Sequence, residues 1–130
     1  MNARQGQTGT PSGVRTVGAE EELLLVDARD GTPRSVASRA LRLARFRGET
    51  EDVGDQEAAP GGSLGPELQE QQLETDTPPE EDLAALEAEL HRWRRKARSA
   101  AEDTGALVLA SGTAPRSVRP ETVNDARFHE

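Results

Sequence analysis

Residues 16–27 read Thr-Val-Gly-Ala-Glu-Glu-Glu-Leu-Leu-Leu-Val-Asp, a stretch in which three acids lead directly into four apolar residues. Leu23–Val26 has the length of a strand, and the turn dipeptide Asp30-Gly31 follows it closely. The stretch therefore predicts a strand near the start of the chain, ended by a turn.

The acids before this strand are the first candidate site. Side chains alternate between the two faces of a strand, so Glu20 and Glu22 project together while Glu21 points away. Magnesium takes oxygen ligands and commonly combines one or two carboxylates with substrate phosphates. The pair is a candidate divalent-cation site, and the alternative is a solvated charge run at the start of a strand.

A second acidic stretch lies in residues 67–78, Glu-Leu-Gln-Glu-Gln-Gln-Leu-Glu-Thr-Asp-Thr-Pro. If its end is extended, three polar side chains share one face and Leu73 packs on the other: Gln72, Glu74 and Asp76. The alternative is an ordinary surface helix with glutamate and glutamine outside.

Two helical patterns flank this stretch. In residues 35–47, apolar residues recur at steps of three and four, with Ser35 or Ser38 available as the N-cap: Val36, Ala40, Leu43 and Ala44. The stronger pattern predicts a helix from about Pro78 to Thr104, with a capping box at residues 77–80 and Gly105 as the stop. We expect this helix to bury one apolar stripe: Leu83, Leu86, Leu90 and Trp93. Residues 106–110 then predict a short buried strand.

Composition excludes several classes of protein. The chain has 130 residues and a formal charge of −8, and no cysteine, so disulfides, zinc–thiolate sites and thiol nucleophiles are ruled out. Leu, Val and Phe supply 23 residues and Ile none, too few for a dense core without help. An acidic chain does not suit nucleic acid, and no apolar run is long enough to cross a membrane. We expect a cytoplasmic protein.

The basic cluster in residues 92–98 is the one patch that resembles a nucleic-acid site. Because acids occupy the first half of the predicted helix and cations the second, their order complements the helix dipole. Local pairs of Glu87 with His91 and of Glu89 with Arg92 fit the same explanation. We therefore interpret the cluster as structural.

Four blocks, in this order, resemble the amino-terminal portion of the bacterial glutamate–cysteine ligase type 2 family, also called carboxylate–amine ligases. They are Thr16–Asp27, Glu67–Pro79, the predicted long helix, and Leu107–Pro115. Residues 125–128 are similar to an Asn-Glu-Arg-Tyr element of the family.

The resemblance implies an α+β fold: the amino-terminal part of a glutamine-synthetase-like catalytic fold, with an antiparallel sheet and packed helices, incomplete as given. It implies ATP and Mg²⁺ as cofactors, and glutamate with cysteine or another amine as small-molecule substrates in thiol biosynthesis. The matching metal-binding positions are Glu20, Glu22 and Glu74, with Glu67 a weaker fourth, and Thr113 falls in a substrate loop. In that loop Ala114 stands where the family often has histidine.

The resemblance also suggests how the chain is organised. We expect a disordered leader in residues 1–13, a catalytic portion in 14–115 with an acidic mobile loop at 48–66, and a truncated continuation in 116–130. The catalytic residues themselves are not identifiable. As a fragment, the chain should be inactive alone and should self-associate through unpaired strand edges at Leu23–Val26 and Leu107–Leu109. The alternative function is a non-enzymatic acidic interaction protein, or inactive remnant, whose amphipathic helix docks on a partner.

Overall fold

The computed structural model describes residues 13–47 and 61–124, and in them one antiparallel sheet is covered on one face by two helices. The elements in chain order are β1 (Glu20–Asp27), α1 (Ala37–Phe46), β2 (Ser63–Pro66), β3 (Gln72–Asp76), α2 (Leu83–Glu102) and β4 (Ala106–Leu109). The predicted α+β class with an antiparallel sheet and packed helices is confirmed. The expected leader up to residue 12, the acidic stretch 48–60 and the element at 125–128 lie outside the described residues.

β1 is a central strand of the sheet, whose order is β2-β3-β1-β4. Its four apolar residues are all at most 7% exposed, because Leu23 and Leu25 face the helices while Leu24 and Val26 are covered on the other side. This explains the uninterrupted apolar run. The prediction that Leu23–Val26 forms an unpaired edge is wrong, since β3 pairs with β1 up to Leu24 and β4 pairs with it from Leu24 onward, on the opposite side.

β4 lies at an edge, paired with β1 alone among the described strands. The prediction of a buried strand holds only for its first residue: Ala106 is buried, whereas Leu107 is 42% exposed. An edge strand is covered on fewer sides than a central one, which is why its apolar residues remain partly open to solvent.

The core lies between the sheet and the helices. Trp93 of α2 is fully buried there, together with small residues that let the helices approach closely: Ala37, Ala40, Ala44, Ala97, Ala100 and Ala101. Packing through alanine explains how a chain with few large apolar residues still forms one contiguous core.

α2 begins later than predicted, at Leu83 rather than Pro78. The capping box at residues 77–80 is absent because Thr77 continues the strand pairing instead: its hydroxyl accepts from Ala19 N at 3.0 Å and its own N donates to Ala19 O at 2.9 Å. Asp82 is the N-cap, accepting from Ala85 N at 2.8 Å. The predicted stop is confirmed, since Gly105 has a φ of +73°.

The apolar stripe of α2 is buried over only part of its length. Trp93 and the alanines after it are in the core, but Leu83 is 76% exposed and Leu86 and Leu90 are half-buried. The prediction that these leucines are buried is wrong, because the described residues that bury the stripe cover its carboxyl-terminal half alone.

The amino terminus of α1 is capped from a distance. Val36 holds the N-cap position without a side-chain bond, so the prediction of Ser35 or Ser38 as cap is wrong. Glu70, in the turn between β2 and β3, accepts from Ser38 N at 2.9 Å and from the Ser38 hydroxyl. The Glu70 carbonyl oxygen also accepts from Val36 N and Ala37 N, each at 2.9 Å.

Residues 63–66 form strand β2, although the sequence pattern predicted a mobile loop there. Leu64, which is 1% exposed, pairs with Thr75 of β3 and anchors the strand in the core. Glycine and proline hide this strand from local pattern reading, and proline is tolerated because β2 lies at the sheet edge. In the described ranges, no helix is both long and apolar enough to cross a membrane.

Candidate functional site

Acidic side chains of β1 and β3 meet on the sheet face that the helices leave uncovered. The register places Glu22 opposite Glu74, and Glu20 opposite Asp76. Residues directly opposite in an antiparallel pair have Cβ atoms about 4.5–5.5 Å apart and share one face. The prediction that Glu20 and Glu22 share a face is confirmed, and of the two forms left open for residues 72–76 the structure has the extended one. We call Glu20, Glu22, Glu74 and Asp76 the acidic face.

A shallow cavity of about 350 Å³ lies at one end of the acidic face. It is lined by Gly18, Ala19, Glu20, Asp76 and Thr77. The hydrogen bonds between Thr77 and Ala19 extend the pairing of the two strands and form the rim of the cavity. The opposed carboxylates Glu20 and Asp76 lie directly beside this rim.

Asp76 belongs to this site although it was not among the predicted metal ligands. Its Oδ2 accepts from the Ser63 hydroxyl, while its Oδ1 is buried and has no hydrogen-bond partner in the described part of the chain. The alternation that placed Asp76 with Glu74 was visible in the sequence, but its opposition to Glu20 depends on the register of two strands distant in sequence.

The two remaining predicted site residues are not part of the acidic face. Glu67 follows the last residue of β2 and is half-buried outside the paired strands. Thr113 is exposed in the loop after β4, where its carbonyl oxygen accepts from the Ser111 hydroxyl at 2.7 Å.

The donor set fits one side of a divalent-cation site. Carboxylate oxygens are the ligands that Mg²⁺ prefers. Within residues 13–47 and 61–124, however, no group of three or more His, Cys, Asp or Glu side chains is arranged to hold a metal ion. The acidic face can therefore supply some ligands but does not form a closed site.

Glu21 has a separate, structural role. It projects to the helix side, where Arg94 Nε donates to its Oε2 at 2.8 Å and a second guanidinium nitrogen donates to Oε1. This hydrogen bonding raises the pKa of Arg94 above its ordinary value. The bidentate pair ties α2 to β1.

The basic cluster is structural in the way the sequence predicted. Arg92 pairs with Glu89 at 3.0 Å and Arg98 with Glu102 at 2.7 Å. The Lys96 ammonium lies 4.2 Å from the centre of the Trp93 ring. These cations stabilise α2 and the tryptophan at its centre, on the opposite side of the sheet from the acidic face.

Comparisons with known proteins show the family to which the chain is related. The family model of glutamate–cysteine ligase family 2 matches residues 16–130. The chain is 37% identical over 115 residues to "Putative glutamate--cysteine ligase 2-1" of Streptomyces avermitilis, covering 88% of this chain and 29% of that protein. It is similar to the same extent to "Putative glutamate--cysteine ligase 2" of Streptomyces coelicolor.

A relative from Mycolicibacterium smegmatis, "Putative glutamate--cysteine ligase 2-3", is 40% identical over 100 residues, covering 77% of this chain and 24% of the relative. The chain thus spans less than a third of the length of the curated relatives it matches. No solved structure matches it significantly.

Proposed function

Because the chain belongs to glutamate–cysteine ligase family 2, we propose that it is the amino-terminal part of an ATP-dependent carboxylate–amine ligase. In the proposed reaction, the γ-carboxylate of glutamate takes the terminal phosphoryl group of ATP, releasing ADP and forming an acyl phosphate. The amine of cysteine, or another amine, attacks the acyl carbon, so that an amide bond forms, phosphate leaves and the nitrogen loses a proton. The sheet would then be part of a glutamine-synthetase-like catalytic fold.

The observation that carries this proposal is the opposition of Glu22 and Glu74 on the face of the sheet that points away from the helices. Together with Glu20 they would bind Mg²⁺ and, through it, the phosphates of ATP, with Glu67 as a more distant fourth carboxylate. A bound metal ion would neutralise the charge of the transferring phosphoryl group. Thr113 would contact substrate only if its loop approached the acidic face.

This chain's own residues supply one acidic wall and not the whole site. Phosphoryl transfer needs the nucleotide and the attacking carboxylate held in line from several sides. Arg92, Arg94 and Arg98 are bonded to carboxylates on the helix side, so none of these three arginines is placed to bind a triphosphate on the acidic face. We accordingly propose that the 130-residue chain does not catalyse the reaction alone.

ADP release in the presence of glutamate, cysteine, ATP and Mg²⁺ tests the proposal. The chain alone should show no more turnover than its Glu20→Gln variant. A chimera in which residues 16–124 replace the matching part of an active full-length relative should retain ADP release. Glu20→Gln in that chimera should lower the rate by about two orders of magnitude or more.

The matched control in the chimera is Glu87→Gln, a change of an exposed acid on α2, the helix that packs against the opposite face of the sheet. Near-normal turnover of Glu20→Gln would remove that residue from the site. If the 130-residue chain alone released ADP faster than its Glu20→Gln variant, the proposal that it does not catalyse the reaction alone would be wrong.

A further inference from the structure

The apolar stripe of α2 continues beyond the core that it helps to form. Leu83, Leu86 and Leu90 follow one another at steps of three and four, in line with the fully buried Trp93. Leu83 is nevertheless 76% exposed, and the other two leucines are only half-buried. We call these three residues the Leu83 stripe.

Acidic residues are concentrated along the sequence that carries the Leu83 stripe. Five acids and no Lys or Arg stand between residues 80 and 90: Glu80, Glu81, Asp82, Glu87 and Glu89. The side chain of Glu87 is 74% exposed, and its nearest ionisable partner is His91 at 3.8 Å. The helix dipole favours acids at this end of a helix, but it gives no reason for an exposed leucine among them.

An apolar stripe bordered by carboxylates matches one kind of ligand. Amphipathic helices dock through anchors spaced at i, i+3, i+4 and i+7, and cations beside those anchors would meet the bordering acids. The net charge of −8 attracts a basic partner and repels nucleic-acid phosphates.

We propose that the Leu83 stripe is a docking surface for a basic amphipathic helix of another protein. The helix would cover the leucines with its own apolar anchors and place lysine or arginine side chains against Glu81 and Glu87. The Leu83 stripe lies on α2, whereas the acidic face lies on the side of the sheet that points away from the helices. The inference is therefore independent of the proposed ligase activity.

The test uses the 130-residue chain and a dye-labelled peptide of about two heptads, built of leucine and lysine in amphipathic register. Fluorescence anisotropy should report saturable binding that weakens as salt is raised, because the pairing charges are exposed. Leu83→Glu should weaken binding by about tenfold or more, since it replaces an apolar anchor site with a charge. Glu87→Lys, a second variant at an exposed position, should weaken it as well.

Leu107→Glu is the matched control, because Leu107 is an exposed leucine on β4 that lies outside the stripe. It should leave the affinity within about twofold of wild type. Equal weakening by Leu83→Glu and Leu107→Glu, or equal binding of a peptide with glutamate in place of lysine, would overturn the proposal. Sedimentation that shows wild-type self-association abolished by Leu83→Glu would also overturn it, since the occupant would be a second copy.

Discussion

At the scale of single residues, Gly62 occupies a position that a residue with a side chain could not occupy without strain. Its φ of +82° is in the region that favours glycine, and a Cβ there would lie 2.6 Å from both the Asp76 carbonyl oxygen and Trp93 Nε1. This close approach lets β2 begin beside the buried tryptophan. A glycine in a stretch rich in glycine and proline gives no local sign of such a contact.

Gly62→Ala should therefore be strongly destabilising. The left-handed backbone costs about 1–2 kcal/mol for alanine, and the overpacking about 1–3 kcal/mol more. Gly65→Ala is the control, since a Cβ at Gly65 meets nothing within 4 Å, and it should change the free energy of unfolding by less than about 1 kcal/mol. Urea denaturation compares the two, and equal midpoints would contradict the geometry at Gly62.

Asp27 makes a contribution to the stability of the fold that depends on pH. The Arg29 side chain, which donates to Asp27 Oδ1 at 3.1 Å, and the Arg29 backbone N–H lower the pKa of Asp27 from 3.8 to about 2. Because the folded-state pKa is depressed, the stabilising contribution is present above about pH 4 and is lost as the pH falls toward 2.

Arg29→Ala should raise the pKa of Asp27 toward its ordinary value, as followed by an NMR titration of the carboxyl carbons. Asp30 is the internal control, because its pKa is lowered mainly by a hydrogen bond from the Thr32 backbone, which the substitution leaves in place. An unchanged Asp27 titration in the variant would show that Arg29 is not the cause.

At the scale of elements, α1 depends on a residue far from it in sequence. Glu70→Ala would remove the acceptors of the Ser38 N–H and hydroxyl, at a cost of about 1–2 kcal/mol. Amide exchange should accelerate in α1 more than in α2. Glu81→Ala, which removes an exposed acid, should leave exchange in α1 unchanged, and equal protection of α1 in both variants would contradict the capping role of Glu70.

The different burial of Leu73 in β3 and Leu83 in α2 predicts an uneven response to truncation of leucines. Leu73→Ala, at a fully buried position in β3, should cost about 2–5 kcal/mol in the free energy of unfolding. Leu83→Ala should cost less than about 0.5 kcal/mol because that side chain is largely exposed. Chemical denaturation measures both, and a large loss for Leu83→Ala would mean that its stripe is covered.

These elements also show what the sequence reveals and what it hides. Local patterns correctly predicted β1, the shared face of Glu20 and Glu22 and the stop signal of Gly105 after α2, because periodicity and backbone preference are local properties. For residues 72–76 they left a strand and a surface helix both open. They misplaced the start of α2 and the cap of α1. Thr77 and Glu70 form their bonds with residues distant in sequence, and those tertiary contacts override local capping signals.

At the scale of the whole molecule, the sheet brings together carboxylates that lie about 50 residues apart in sequence. The alternation of side chains predicted that Glu20 and Glu22 share a face and, if residues 72–76 are extended, that Glu74 shares one with Asp76. The opposition of Glu22 and Glu74 followed only from the strand register, which no local pattern specifies. Strand alternation made Glu20 and Glu22 a candidate cation site, and the family resemblance added Glu74. The assignment of these carboxylates as metal ligands stays a prediction.

Binding of Mn²⁺, as a paramagnetic substitute for Mg²⁺, tests that prediction most directly. In amide NMR spectra of the 130-residue chain, low concentrations of Mn²⁺ should broaden the signals of residues 20–22 and 74–76 first. The double variant Glu22→Gln/Glu74→Gln should abolish this broadening, whereas Glu81→Gln/Glu87→Gln should not. Broadening that is centred on residues 80–90, or that survives in the Glu22/Glu74 variant, would contradict a cation site on the acidic face.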